Sequence, residues 1–170
     1  IAASPFDYKH AHQRKAILQR NVNQYKIPLL YVNHVGAQTE IIFDGGSLAY
    51  DASGKLVHEG PYFKEEIIYL NTKNTTLVVE KQTEKYELIY QALLMGIRDY
   101  FSKMGFKKAI LGLSGGVDSA IVTVLAADAL GAENILPVML PSAFSSGHSI
   151  SDSEQLCQNL NIKVDKMEIN

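Results

Sequence analysis

A glycine-rich turn between a short apolar run and an apolar helical segment constrains this sequence most. The run occupies residues 109–111, and the helical segment extends to Gly131. This order predicts a buried strand, a tight turn and a helix that ends at a glycine. In open α/β sheets, ligands bind at the carboxyl ends of strands, where this turn lies. The glycine turn, as we call it, consists of Gly112, Leu113, Ser114, Gly115, Gly116, Val117, Asp118 and Ser119.

The chemistry of the glycine turn favours an anion. Glycine has no side chain, so neighbouring backbone N–H groups can converge on a ligand. The first N–H groups of the following helix have no partner inside it, and the helix dipole is positive there. Ser114 and Ser119 add hydroxyl donors, so a phosphate or pyrophosphate fits best. The Asp118 carboxylate repels a phosphate unless a divalent cation bridges the two, which predicts Mg²⁺ at Asp118.

Three known motifs compete with this interpretation. A Walker loop needs a lysine that the turn lacks, and the dinucleotide fingerprint needs a different glycine spacing. The G-x-S-x-G elbow of hydrolases does match Gly112, Ser114 and Gly116. A serine hydrolase using Ser114 is therefore an alternative, with Asp128 and His148 as its downstream acid and base. A turn that binds no ligand is the remaining possibility.

Length and composition limit the class of protein. With 170 residues and a net charge of −2, the chain holds one domain or two small ones and offers no basic surface for nucleic acid. One cysteine excludes an internal disulfide and fits a reducing, cytoplasmic compartment. No apolar run has membrane-spanning length. The absence of a starting methionine and the strand-like end at residues 163–169 indicate a fragment of a longer protein.

The first half is predicted to contain a helix and a mainly antiparallel sheet. Ser4 and Pro5 are suitable for the start of a helix that extends to Arg20. Short apolar runs separated by turn residues follow, which is typical of hairpins. The polar residues 71–83 are predicted to form a linker. The predicted strands cover residues 27–35, 40–43, 47–50, 56–59 and 67–70, with a hairpin turn at residues 51–55.

The second half alternates strands and helices after an amphipathic helix at residues 84–103. This alternation favours parallel pairing through right-handed crossovers. Ser151 or Asp152 is predicted to cap the last helix, and Cys157 to be a small buried hydrophobic residue. The loop at residues 141–147 is either a lid or an exposed connector. The predicted elements are strand 108–111, helix 117–130, strand 135–140, helix 151–161 and strand 163–169.

Residues 114–119 resemble the SGG-x-DS loop of the N-type ATP pyrophosphatases. That superfamily includes the NAD, GMP and asparagine synthetases. The resemblance implies a doubly wound parallel α/β sheet of the adenine nucleotide alpha hydrolase type. It also implies cleavage of ATP to AMP and pyrophosphate, with the whole glycine turn binding ATP and Asp118 binding Mg²⁺. Residues 138–140 are expected to line the adenine pocket.

Two further sets of residues, one in each half of the chain, resemble the glutamine-dependent NAD synthetases. Residues 136–142, the serine pair 145–146 and residues 151–153 are similar to the segment after the second strand of their synthetase domain. Residues 3–6, 31–36 and 43–47 are similar to the end of their nitrilase-like glutaminase domain, an α/β sandwich. The implied organisation is the end of a glutaminase domain at 1–70, a linker at 71–83 and the start of a synthetase domain at 84–170.

This resemblance implies ATP-dependent amidation of deamido-NAD with ammonia from glutamine, through an adenylated intermediate. The expected cofactors and partners are ATP, Mg²⁺, deamido-NAD, glutamine or ammonia, and further copies of the chain in a homo-oligomer. Ser4 and His10 match the family's glutamine contacts, although the family has lysine or arginine at the position of His10. The Glu, Lys and Cys triad of the glutaminase would lie upstream, so no catalytic residue is assigned here. The alternatives are another amidotransferase of the superfamily and a nucleotide-binding domain without catalysis.

Overall fold

The computed structural model describes residues 4–71, 84–141 and 146–169. The chain divides into two compact units, Ile1–Gly96 and Ile97–Asn170. Each unit combines helices with a sheet, so the predicted α/β class is confirmed. The predicted linker falls almost entirely on residues 72–83, which lie outside the described residues, and its boundaries stay predictions. Among the described helices, none is both long enough and apolar enough to cross a membrane.

Antiparallel strands dominate the first unit, as the repeated turns predict. Strands β1 (Leu29–Tyr31), β4 (Leu48–Tyr50) and β5 (Leu56–Glu59) form one sheet in the order β1-β4-β5. Strands β2 (Val35–Gln38) and β3 (Ile41–Asp44) form a separate hairpin. At the turn before β5, the Asp51 carboxylate accepts the N–H groups of Ser53 and Lys55. The core of the first sheet contains Val22, Leu48 and Tyr50, packed against Leu18, Leu29, Tyr31 and Leu56.

The first helix, α1 (His10–Tyr25), begins later and ends later than predicted. Ser4 does not start it, because both backbone polar groups of Ser4 bond the side chain of Asn33. The helix begins after the N–H of Lys9 bonds the Asp7 carboxylate. It ends at Tyr25 and is capped by Lys26, whose φ of 55° is left-handed and whose N–H donates to the Val22 carbonyl.

The strand predicted at residues 67–70 is wrong. This stretch has no regular structure, and the side chains of Ile67 and Tyr69 are 87% and 94% exposed. An apolar run becomes a strand only where a partner strand satisfies its backbone, and no described strand pairs with these residues. The hydrophobic periodicity and composition of a segment cannot show whether a partner strand lies beside it.

Helix α2 (Lys85–Met104) leads into the parallel sheet of the second unit. Strands β6 (Ala109–Gly112), β7 (Ile135–Met139) and β8 (Asp165–Lys166) pair in parallel in the order β6-β7-β8. The parallel sheet is therefore confirmed. The last strand is shorter than predicted, although the N–H groups of Met167 and Ile169 still donate to the carbonyls of Met139 and Pro141.

Two helices cover this sheet. Helix α3 (Val117–Leu130) has the predicted bounds and ends where the N–H of Gly131 donates to the Ala127 carbonyl. Helix α4 (Gly147–Asn159) begins four residues before the predicted start. Its cap is Ser146, whose hydroxyl accepts the Ser149 N–H, whereas the Ser151 hydroxyl donates to the His148 carbonyl inside the first turns. The prediction of Ser151 or Asp152 as cap is therefore wrong, because the cap that forms lies farther upstream.

The core beneath these helices consists of small and branched apolar side chains. Ala126 and Ala127 of α3 pack with Ile135 and Ile162. Cys157 is 1% exposed and packs with Leu113 and Met139, and burial raises the pKa of its thiol. The prediction that Cys157 is a small buried hydrophobic residue is therefore confirmed.

Candidate functional site

The glycine turn begins on the sheet and ends on a helix. Leu113 is 3% exposed, and its N–H donates to the Val138 carbonyl of the neighbouring strand at 2.9 Å. The backbone then turns at Gly115, whose φ of +82° is left-handed and favours glycine. Gly116, in extended conformation, precedes the first residue of α3. The turn thus lies at the carboxyl end of β6, as the sequence predicts.

Two serine hydroxyls hold the turn closed. Ser119 Oγ accepts the N–H of Ser114 at 3.2 Å and donates to the Gly116 carbonyl at 2.9 Å. Ser114 Oγ lies 3.1 Å from Ser119 Oγ and accepts the N–H of Gly116 at 3.3 Å. The two side chains therefore fix the shape of the backbone. Predicted as ligand donors, they also act as scaffold.

The first turn of α3 supplies backbone donors. Ala120 donates its N–H to the Gly116 carbonyl, so the helical ladder begins there. The preceding N–H groups, those of Val117, Asp118 and Ser119, have no acceptor within an α-helix. They lie at the positive end of the helix dipole. The geometry thus provides a cluster of amides that suits a phosphate oxygen.

The beginning of α4 lies directly against Gly115. A Cβ built on Gly115 would stand 2.6 Å from the Cα of Ser149, a distance that real Cβ atoms essentially never show. Two helices therefore start beside one turn, α3 after Gly116 and α4 after Ser146. Only a residue without a side chain allows this approach.

A cavity of about 290 Å³ opens beside the turn. The ends of β6 and β7 form one wall, and the first two turns of α4 form the other. Residues 138–140, predicted to line an adenine pocket, are part of the first wall. The residues that border the cavity are Gly112, Leu113, Ser114, Val138, Met139, Leu140, Pro141, Ser149, Ile150 and Ser153.

Asp118 is exposed in the first turn of α3. Within the described ranges, no group of three or more His, Cys, Asp or Glu side chains forms a cation site. Protein sites for Mg²⁺ often use one or two carboxylates and take their remaining ligands from substrate phosphates and water. An accessible carboxylate beside a cluster of amides fits that kind of site.

The geometry does not assemble a hydrolase triad around Ser114. Among the described residues, the hydroxyl of Ser114 is bonded to Ser119 and to the Gly116 amide, and His148 makes no hydrogen bond with it. Asp128 lies ten residues along α3 from Asp118, which corresponds to about 15 Å of helix rise. The acid and base of the hydrolase hypothesis are therefore not brought to Ser114.

The first unit holds a second candidate site, which we call the Arg14 cluster: Ser4, Arg14, Asn33 and Asp44. The Arg14 guanidinium donates to both Asp44 carboxylate oxygens, at 3.1 and 3.2 Å, and to the Ser4 hydroxyl at 3.4 Å. Asn33 donates to Asp44 at 2.8 Å. Of the predicted glutamine contacts, Ser4 thus belongs to a polar network, whereas the His10 side chain lies outside the described residues.

Burial dominates the electrostatics of the Arg14 cluster. Asp44 is 1% exposed, and burial raises the pKa of its carboxyl, an effect that Arg14 and Asn33 offset only in part. A second ion pair lies on the same unit, where the partly buried Lys15 contacts the buried Glu59 at 2.9 Å. Burial and the Glu59 carboxylate also raise the pKa of the Tyr62 hydroxyl. The buried carboxylates Asp44 and Glu59 are therefore each paired with a basic side chain.

The roles of Arg14, Asn33 and Asp44 were not predicted from the sequence. One signal was available in the sequence: Arg14 follows His10, a predicted glutamine contact, by four residues, the spacing at which residues of a predicted helix share a face. Asn33 and Asp44 lie inside the resembling stretches 31–36 and 43–47, but spacing does not show that they meet. Their contacts span 10 to 31 residues of sequence.

Comparison with known proteins points to one family. Residues 89–170 match the family model described as NAD synthase. The glutamine-dependent NAD(+) synthetase of Synechocystis sp. is 38% identical over 175 residues, which cover 99% of this chain and 31% of that protein. The enzyme of that name from Thermotoga maritima is 35% identical, over 96% of this chain and 35% of that protein. The chain spans about a third of the length of these curated relatives.

Solved structures agree with the sequence relatives. The structure of a glutamine-dependent NAD+ synthetase from Acinetobacter baumannii in complex with adenosine diphosphate has a TM-score of 0.91 and 35% identity, over 99% of this chain and 33% of that chain. A second synthetase, from Cytophaga hutchinsonii, has a TM-score of 0.80 at 17% identity and shares the fold. These similarities give no support to the serine hydrolase hypothesis.

Proposed function

This chain belongs to the NAD synthase family, and from that premise we propose that it is part of a ligase that amidates deamido-NAD to NAD with ammonia from glutamine. The observation that carries the proposal is the glycine turn: a cluster of first-turn amides and an exposed carboxylate at the carboxyl end of a parallel strand. The relative from Acinetobacter baumannii is described in complex with adenosine diphosphate. A nucleotide phosphate is the ligand that this arrangement suits best.

The glycine turn would bind the pyrophosphate end of ATP. The amides of Val117, Asp118 and Ser119 would donate to phosphate oxygens, while Ser114 and Ser119 keep the backbone in shape. Gly115 and Gly116 allow the chain to approach the phosphates closely. Asp118 would hold Mg²⁺, which neutralises phosphate charge when bound. The proposed ATP-binding residues also include Gly112 and Leu113, which join the turn to the sheet.

The proposed reaction has two steps. A carboxylate oxygen of deamido-NAD attacks the α-phosphorus of ATP, forming an acyl adenylate while pyrophosphate leaves. Ammonia then attacks the acyl carbon, forming the amide while AMP leaves and one proton is released. This chain contributes positioning and stabilisation of the charge that develops on phosphate oxygens, rather than a nucleophile. The cavity bordered by residues 138–140 would hold the adenosine.

Ser4 and His10 of the first unit would contact glutamine. We assign residues 1–70 to the end of a nitrilase-like glutaminase domain, 71–83 to a linker and 84–170 to the start of the synthetase domain. A cytoplasmic location and a homo-oligomeric assembly complete the proposal.

Pyrophosphate exchange into ATP tests the proposal. The variant Asp118→Asn is made in the complete natural polypeptide and assayed with deamido-NAD present. We expect it to lower the exchange rate on the order of hundredfold, because weaker binding of Mg²⁺ leaves the charge on the leaving phosphates without a cation. Asp128→Asn, at the far end of the same helix, is the matched control and is expected to exchange at the wild-type rate. A wild-type rate for Asp118→Asn would contradict the metal role, and an absence of exchange in the wild type would contradict the proposed function.

A further inference from the structure

The Arg14 cluster is built around one residue of the first unit, Ser4. The Asn33 side chain bonds both backbone polar groups of Ser4. Its Oδ1 accepts the Ser4 N–H at 2.9 Å, and its Nδ2 donates to the Ser4 carbonyl at 3.1 Å. Asn33 is itself 6% exposed, and its own N–H donates to the Ser47 hydroxyl. A buried amide that binds both polar groups of one residue fixes the backbone of that residue.

Arg14 acts on the side chain of the same residue. Its Nη2 donates to Ser4 Oγ at 3.4 Å while holding both oxygens of Asp44, and its Nη1 donates to the Gly45 carbonyl at 3.3 Å. A hydroxyl group has one proton and two lone pairs. Since one lone pair of Ser4 Oγ faces the guanidinium, its proton is directed elsewhere and can be donated to a ligand.

Stability alone is a poor reason for this arrangement. Arg14 and Asp44 are 8% and 1% exposed, and burial of two charges costs desolvation energy that an ion pair repays only with ideal geometry. Apolar side chains of similar volume often stabilise a fold as well or better. Because the bonds of Arg14 and Asn33 converge on Ser4, a proposed glutamine contact, we infer that the cluster has a role in glutamine binding.

We propose that Asn33 and Arg14 are positioning residues that hold Ser4 in the orientation needed to bind glutamine. Asn33 fixes the backbone of Ser4, and Arg14 directs its hydroxyl proton, with Asp44 holding Arg14 in place. This inference rests on the proposed function, because that function makes Ser4 a glutamine contact. The proposed roles of Asn33 and Arg14 act through Ser4 and require no contact of their own with glutamine.

The test compares two ammonia sources in the complete natural polypeptide. NAD formation is measured with glutamine and, separately, with ammonium chloride, which bypasses the glutaminase. We expect Arg14→Lys and Asn33→Ser each to raise the KM for glutamine about tenfold, the effect of one misdirected hydrogen bond. The kcat and KM with ammonium chloride should stay at wild-type values. A lysine preserves the charge opposite Asp44 but not the planar fork.

Non-additivity separates positioning from general damage. In a Ser4→Ala background, Arg14→Lys should have no further effect on the KM for glutamine, because the hydroxyl through which it acts is gone. Arg20→Lys, at an exposed position on the same helix, is the matched control and should behave as wild type. If Asn33→Ser unfolds and loses activity with both ammonia sources, the inference is tested by the KM for glutamine of Arg14→Lys.

Each failure has its own signature. No NAD from ammonium chloride in the wild type would overturn the proposed function. A wild-type KM for glutamine in Ser4→Ala would overturn the role of Ser4 and the inference with it. A raised KM in Ser4→Ala together with a wild-type KM in Arg14→Lys and Asn33→Ser, or a fully additive double variant, would overturn the inference alone.

Discussion

The glycine turn and the Arg14 cluster are two ways of building a polar site. The turn is made almost entirely of backbone from eight consecutive residues, and Asp118 in it is exposed. The cluster is made of side chains from four separate segments, and Asp44 in it is 1% exposed. The turn derives its donors from the start of a helix, whereas the cluster depends on charges that desolvation penalises. We therefore expect loss of one side chain to lower folding stability less in the glycine turn than in the Arg14 cluster.

Removal of Arg14 gives the largest expected effect on stability. Arg14→Ala leaves the Asp44 carboxylate buried without its cation, so we expect the free energy of unfolding of the first unit to fall by about 3–5 kcal/mol. Hydrogen exchange of the amides of residues 4–59 in the complete polypeptide measures the change locally. Arg20→Ala, exposed on the same helix, should stay within about 0.5 kcal/mol of wild type. Equal exchange in both variants would contradict the contrast between cluster and turn.

Gly115 is the position where the glycine turn is most vulnerable. Gly115→Ala places a Cβ 2.6 Å from the Cα of Ser149 in a backbone with a left-handed φ, so either the turn or α4 must shift. We expect pyrophosphate exchange to fall on the order of hundredfold, since misplaced amides no longer meet the phosphates. Gly96→Ala is the control, because its Cβ would make an ordinary contact at 3.5 Å with Ile42. Wild-type exchange in Gly115→Ala would show that the turn is not the phosphate site.

The same contrast explains which features the sequence predicts. The bounds of α3 and the position of the glycine turn follow from local signals: an apolar run, glycines and the end at Gly131. The contacts of Arg14 with Asp44 and Gly45 join residues about 30 apart, and no spacing rule predicts them. The prediction of a strand at 67–70 was wrong for a related reason: a strand forms only with a partner strand, which can lie far away in the sequence. The start of α4 was misplaced because several serines could cap it, and the bond from the Ser149 N–H to the Ser146 hydroxyl forms upstream of the predicted cap.

Ser119 tests whether the turn is held by its hydroxyls or by its backbone alone. Ser119→Ala removes the acceptor for the Ser114 N–H and the donor to the Gly116 carbonyl. We expect the KM for ATP to rise about tenfold, because the amides remain but are less ordered. Thr123→Val is the control: it removes a bond from Thr123 Oγ1 to the Ser119 carbonyl inside α3 but leaves every hydrogen bond of the Ser114 and Ser119 hydroxyls in place. An effect in Thr123→Val as large as that in Ser119→Ala would assign both to helix stability.

Two aspartates of the first unit offer the finest comparison. Burial raises the pKa of Asp44 above its ordinary 3.8, despite Arg14 and Asn33. Hydrogen bonds from Ser53, and then from the Lys55 backbone, lower the pKa of the exposed Asp51 below the same value. Carbon-13 titration of the carboxyl groups should therefore give a higher midpoint for Asp44 than for Asp51. The reverse order would mean that the Arg14 ion pair outweighs desolvation.

The two shifts act on stability in opposite directions. Asp44 binds its proton more tightly in the folded state, so its contribution to stability is complete below pH 3.8 and declines as the pH rises through its raised pKa. Asp51 binds its proton less tightly when folded, so its contribution is present above pH 3.8 and is lost as the pH falls through its lowered pKa. Exchange of unit-one amides measured across this range should lose the Asp51 trend in Asp51→Asn and keep the Asp44 trend, in which stability decreases as pH rises. If stability in that variant did not change with pH, Asp44 would have the same pKa in the folded and unfolded chains. Arg14 and Asn33 would then fully offset the desolvation of its carboxylate.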